Sequence, residues 1–242
     1  MSVWGKIFGG AAGFALGGPL GAMLGGLAGH AVDRLRSDDA PSRDGTKQIA
    51  FTIGVIVLGA KMAKADGVVT RDEIEAFREV FHVPDHEVRN VARVFDLARR
   101  DADGYEPYAR QIAKLFEQDP TVLEDLMAGL FHIARADNVI HPAEIEFLRG
   151  VADIFGIKGL DFDRIRASHI GADQEDPYTI LGVPHDISDG ELRRHYRELI
   201  RENHPDRAMA KGLPEEFVDL ANEKMAAINA AYERVAQHRG IG

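Results

Sequence analysis

The feature that most constrains this chain is a run near its start that carries no charge. Ile7 to Gly29 spans 23 positions, and a bilayer-crossing helix needs about 20. Lys6 bounds the run on one side, and Asp33, Arg34 and Arg36 follow on the other. Ten of the chain's 25 glycines lie within its first 30 residues. Gly9, Gly13, Gly17, Gly21, Gly25 and Gly29 recur every four residues, which on one continuous helix makes a stripe. In lipid such a stripe lets two helices approach closely. In water each glycine costs about 0.8–1.0 kcal/mol against alanine. The spacing therefore predicts a membrane anchor over 1–36 whose helix self-associates as a homodimer. A flexible Gly/Ala leader and a cleaved signal peptide are the other readings. A lone Lys6 and a long apolar stretch argue against the signal peptide. Pro19 is tolerated within a membrane helix. Arg34, Arg36, Arg43 and Lys47 all follow the run, so the positive-inside rule predicts a single pass with the rest of the chain in the cytoplasm.

Beyond residue 36 the chain reads as ordinary soluble protein. Charged residues make up 28% overall, and the net charge is -10. That balance disfavours nucleic acid as a partner. The chain has no Cys, which excludes disulfides and thiolate metal sites. Residues 37–45 hold Ser, Asp, Pro and Gly without a large apolar side chain and read as a linker.

The middle of the chain repeats itself. MAKADGVVTRDEIEAF (62–77) matches IARADNVIHPAEIEFL (133–148) at an offset of 71. Each copy reads helix, turn, helix. Asp66-Gly67 and Asp137-Asn138 are turn chemistry, and Thr70-x-x-Glu73 is a capping-box signature. In the second copy Pro142 suits the first helical position, with Glu144 in the same turn. Phe51, Val55, Leu58 and Met62 recur at helical spacing, as do Val91, Val94, Phe95 and Ala98. Residues 46–168 are read as a helical domain with two related halves. Asp66 with Glu73, and Asp137 with Glu144, are acid pairs in equivalent places. One reading is a hard-cation site for a divalent metal; the other is turn and cap chemistry, which accounts for all four. The A-D-G-x-[VI] turn followed by an acidic helix resembles the TerB-like tellurite-resistance domain. The resemblance implies an acidic surface that is a candidate for binding metal.

After a short linker, 169–175, the segment 176–242 holds the densest signal. Asp176-Pro177-Tyr178-Thr179-Ile180-Leu181-Gly182-Val183 predicts a short helix turning at Gly182. Ser188-Asp189-Gly190-Glu191 is a capping box that opens a second helix. Leu192, Tyr196, Leu199 and Ile200 fall on one face, and Arg193, Arg194, Arg197 and Arg201 on another. Pro205 biases His204 out of the helical region, so the helix ends there. Pro214 reopens a helix whose apolar stripe is Val218, Ala221, Met225, Ile228, Tyr232 and Val235. Two apolar faces joined by one loop make a helical hairpin. The arginines read either as a docking face for an acidic partner or as a solvated face paired with Glu191, Glu198 and Glu202. A catalytic His204–Asp206 pair has no Ser or Cys nucleophile near it in sequence.

DPYTILGV, a basic helix with Tyr196, His204-Pro205-Asp206 in the loop, and Asn229-Ala230-Ala231-Tyr232-Glu233 together resemble the J domain of the DnaJ family. The resemblance implies a non-enzymatic module that docks on a DnaK-type chaperone and stimulates its ATP hydrolysis. On that basis His204, Pro205 and Asp206 form the signal loop, Tyr196, Arg193, Arg194 and Arg197 the docking face, and Asn203 and Arg207 its flanks. The stretch after the loop, AMAKGLPEE, has few basic residues, and no Cys-rich zinc module is present.

Trp4-Gly5-Lys6-Ile7, Gly29, His30 and Asp33 around the span, with the order of the three parts, resemble the DjlA family of bacterial inner-membrane co-chaperones. The expectation is an all-α protein: an N-terminal transmembrane helix, a TerB-like helical domain and a C-terminal J-domain hairpin, with no cofactor beyond a divalent cation in the TerB-like part. The alternative is a TerB-type metal-responsive envelope sensor with the J domain as an accessory recruiter.

Overall fold

The structure is a computed structural model. It describes residues 17–27, 43–66, 83, 85, 87–101, 104–136, 140–169, 175–210 and 217–241, and all regular elements among these are helices. The central element is α2 (Arg43–Asp66). Every residue from Ile49 to Ala63 is buried. A helix buried all round needs partners on every side. They are α3 (Val88–Arg100), α4 (Glu106–Leu115), α5 (Pro120–Ala134) and α6 (Pro142–Phe155). Gly54 brings α2 against α4 closely enough that a Cβ there would meet Ile112 Cδ1 at 2.7 Å. Gly45–Ala63 is the one described stretch long and apolar enough to cross a membrane, and 83% of it is buried inside the protein. It is the core of the middle domain. α2 also takes up the last three residues of the expected linker.

The charge-free run is helical where it is described. Helix α1 covers Gly18–Leu27, 10 residues, or about 15 Å. Gly17 and Gly18, where this helix starts, both have φ of +56°, a left-handed conformation that glycine adopts without steric cost. Gly17 accepts the Gly21 N–H at 2.9 Å and so stands one turn before it, while Gly9, Gly13 and Gly29 lie outside the described residues. α1 rests on α3 and α4, with Leu20 fully buried. The Leu20 N–H donates to Gln111 Oε1 at 2.9 Å, and Gln111 Nε2 donates to the Gly17 carbonyl at 2.8 Å.

Local signals place the other helices well. Pro142 opens α6, and the Glu144 carboxylate accepts the His141 N–H at 2.9 Å. Gly156, at φ +78°, closes it. α7 (Leu160–His169) then leads to α8 (Pro177–Leu181), α9 (Asp189–Glu202), α10 (Pro205–Ala210) and α11 (Val218–Arg239). α7 belongs to two cores. Phe162 and Ile165 pack with the middle domain, while Ala167 packs with Ile180, Leu181, Leu192 and Ile228 of the C-terminal unit. Phe217 and Leu220, at the start of α11, also join the middle-domain core. The Phe217 ring meets Phe51 edge to face with centroids 4.6 Å apart.

His169 ends α7 at this junction and is buried. Burial first, then the positive charges of Lys224, His132 and Arg135, hold its imidazole down at about 3. The unfolded chain takes up this proton near pH 6.5; the folded chain does not. Folding therefore loses stability as pH falls below about 6.5, down to the folded value. Stability should drop by about 2 kcal/mol between pH 6.5 and 5 through this group. Urea titrations at the two pH values should show that drop, and His169→Gln should flatten it.

Candidate functional site

α9 and α11 form the antiparallel hairpin, with α8 packed against α11 and α7. Asp176 caps α8, accepting the Tyr178 N–H at 3.2 Å. Gly182, at φ +67°, closes it, and the Val183 N–H reaches back to the Tyr178 carbonyl. The α9 capping box forms as expected. Ser188 Oγ accepts the Glu191 N–H and donates to Glu191 Oε2 at 2.6 Å. Those bonds to Ser188 hold the Glu191 carboxyl below the usual range.

α9 ends at Asn203, and the turn that follows is stiff. Pro205 fixes the first position of α10. His204 Nδ1 accepts the Asp206 N–H at 3.2 Å, a cap that turns the opposite ring edge outward. The His204 side chain is 51% exposed and that of Asp206 84%. Asn203 is not on this surface. It is buried, and its Nδ2 donates to the Leu199 carbonyl at 2.8 Å, so it supports the turn from beneath.

Tyr196 is held from two directions. Its hydroxyl donates to Asn229 Oδ1 at 3.0 Å, and its ring stacks on Tyr232 at 3.9 Å and 11°. Burial, with Tyr232 and Glu233 nearby, raises its phenol above the ordinary value. Tyr196, Arg197, Ile200, Arg201 and His204 line a shallow, mostly apolar groove of about 300 Å³. Arg193, Arg194, Arg197 and Arg201 are exposed. Among the described residues none of the four has a carboxylate within ion-pair distance, although Glu191 lies near Arg194. Arg207 is exposed beside the turn. The expected pairing with Glu191, Glu198 and Glu202 does not form among the described residues, and the four arginines stand solvated on the helix face.

Two interactions went unread in the sequence. Arg239 clasps the other end of the hairpin, donating to Tyr178 Oη at 2.8 Å, the Ile187 and His185 carbonyls at 2.7 Å each, and Asp189 Oδ1 at 2.9 Å. Replacing Arg239 by Lys should lower the melting temperature of the hairpin, because an ammonium cannot span this fork. Lys224 is 96% buried on α11, with Nζ 3.1 Å from Asp125 and 3.5 Å from Glu124 of α5. Arg164 of α7 donates to the same Glu124 at 2.7 Å. Burial alone would raise the Glu124 carboxyl, but Lys224 and Arg164 outweigh it and bring it below normal.

Of the four acids considered for a cation, Glu144 is committed to the α6 cap. Glu73, Asp137 and the Asp66 side chain lie outside the described residues. Among the described residues no cluster of three or more His, Asp or Glu side chains is arranged to hold a metal.

A short capped helix, a hairpin and a rigid, exposed His-Pro-Asp turn beside free arginines define a J-domain protein. Residues 176–239 match the DnaJ domain model, residues 52–167 that of the Tellurite resistance protein TerB, and residues 1–49 the Co-chaperone DjlA transmembrane domain. Co-chaperone protein DjlA of Shewanella oneidensis is 32% identical over 273 residues, covering 100% of both chains. Those of Vibrio cholerae and Photobacterium profundum are 29% and 27% identical, covering at least 99% of this chain and 100% of theirs. No solved structure matches. The chain belongs to the DjlA family of membrane-anchored J-domain co-chaperones.

Proposed function

We propose that the C-terminal hairpin docks on a DnaK-type chaperone and stimulates its ATP hydrolysis, and that the N-terminal segment holds this activity at the bacterial inner membrane. The observation that carries the reading is the rigid turn presenting His204 and Asp206 to solvent beside exposed arginines that have no carboxylate partner among the described residues. Free positive charge steers association with an acidic surface. A partner shifts toward hydrolysis only if the hairpin binds the committed state better than the resting one. In a single-turnover assay, the full chain should accelerate hydrolysis by a purified DnaK-type chaperone, with a response that weakens as salt rises. No acceleration at any salt would remove the proposal.

Topology has its own support. Residues 1–49 match a transmembrane domain, and Arg34, Arg36, Arg43 and Lys47 follow the charge-free run where Lys6 alone precedes it. The bulk of the chain then faces the cytoplasm. Protease added outside spheroplasts should leave residues 43–242 intact, and cleavage there would reverse the orientation.

A further inference from the structure

Beyond the docking turn, the middle domain meets the hairpin at a junction along α11. α11 serves both. Its first turns carry Leu220 into the middle-domain core, and its later turns carry Ile228, Ala231 and Val235 into the hairpin core. Between them sits Lys224, a cation where an apolar residue would be expected. It has three charged neighbours from two elements: Asp125 and Glu124 on α5, and, through Glu124, Arg164 on α7. About one and two turns further along, the same helix bears Asn229 and Tyr232, which bond to and stack on Tyr196.

We propose that Lys224 is a positioning residue: it locks α11 into an acidic notch on α5 and so sets the docking face built around Tyr196 and the His-Pro-Asp turn. A greasy contact alone would let the helix slide or rotate by a residue, because neighbouring apolar positions of α11 offer near-equivalent stripes. A buried amine with fixed carboxylates accepts one register only, which is the best-attested use of buried charge. The middle domain thereby acts as the template on which the docking face is preset. This rests on the reading that the hairpin docks on a DnaK-type chaperone, and the two can be tested apart.

The chain has no native Cys, so spin labels can be placed cleanly at Glu146→Cys on α6 and Glu198→Cys on α9, both exposed. Pulsed dipolar distances in the full chain should be narrow in the parent, broad in Lys224→Glu, and narrow again in Lys224→Glu with Asp125→Lys. In unlabelled protein, Lys224→Glu should raise the concentration for half-maximal ATPase stimulation about tenfold. The maximum should be unchanged, and the charge swap should restore the midpoint. If Lys224→Glu does not fold, Lys224→Met keeps the packing of the stem and is read the same way. A narrow distribution in the single variant overturns the lock. A broad distribution with unaltered stimulation overturns the positioning role. Failure of the parent chain to stimulate at all sinks the docking reading while the distances still test the lock.

Discussion

His204→Gln should abolish stimulation of a DnaK-type ATPase while leaving the protein folded. In the free protein the ring does one structural job: Nδ1 accepts the Asp206 N–H and caps α10. A glutamine carbonyl can accept the same bond, and the side chain is half exposed, so the loss of stability should stay within about 0.5 kcal/mol. What glutamine cannot supply is an aromatic edge held in place with a donor at Nε2, next to the apolar groove of Tyr196 and Ile200. The turn is rigid, so no rearrangement recovers that contact. A loss of docking free energy of only ~1.4 kcal/mol is already tenfold, and the effect here should exceed that. Single-turnover hydrolysis and a thermal melt on the same preparation check both halves. Full stimulation by the variant would move the recognition away from His204. A collapsed melt would show that the ring is holding the fold instead.

What could be read in the sequence was what is decided within a few residues. Ser188 and Glu191 predict the start of α9, Pro142 and Glu144 that of α6, and Gly182 the end of α8, because caps and left-handed closures depend on neighbours in the chain. The His-Pro-Asp turn was legible for the same reason. The α11 stripe was read one residue out of phase. Val218, Met225 and Tyr232 are only half-buried, while Leu220, Lys224 and Ala231 are inside. At 3.6 residues per turn two adjacent stripes share Ala221, Ile228 and Val235, and the choice between them is made by α5, over 90 residues away. A lysine in the buried stripe makes it look the less apolar of the two. Asn203 adjoins the motif in sequence, but its amide turns inward to the last turn of α9. The glycine period carries no record of φ, so the left-handed Gly17 and Gly18 were not legible in it.

Phe217→Ala should cost about 3–5 kcal/mol, the range for emptying a buried aromatic site. Phe217 is 1% exposed. It sits edge to face on Phe51, and a Cβ at Gly129 would come within 3.2 Å of its ring. The α5 backbone is thus close packed against the ring and cannot collapse far into the space left by alanine. Edge-to-face pairs of this kind contribute about 0.5–1.5 kcal/mol beyond their area. With total stabilities of roughly 5–15 kcal/mol, the loss would leave little in reserve. Its distribution is the sharper test. Phe217 begins a helix of the C-terminal hairpin but packs in the middle-domain core. Native-state hydrogen exchange should therefore show protection falling in α2 and α5 as much as in α9 and α11. If protection in α2 is untouched while the hairpin loosens, the aromatic contact does not couple the two units, and α7, Leu220 and Lys224 join them without it. If both fall together, the middle domain and the hairpin unfold as one cooperative body. The docking turn would then inherit its rigidity from a core some distance away.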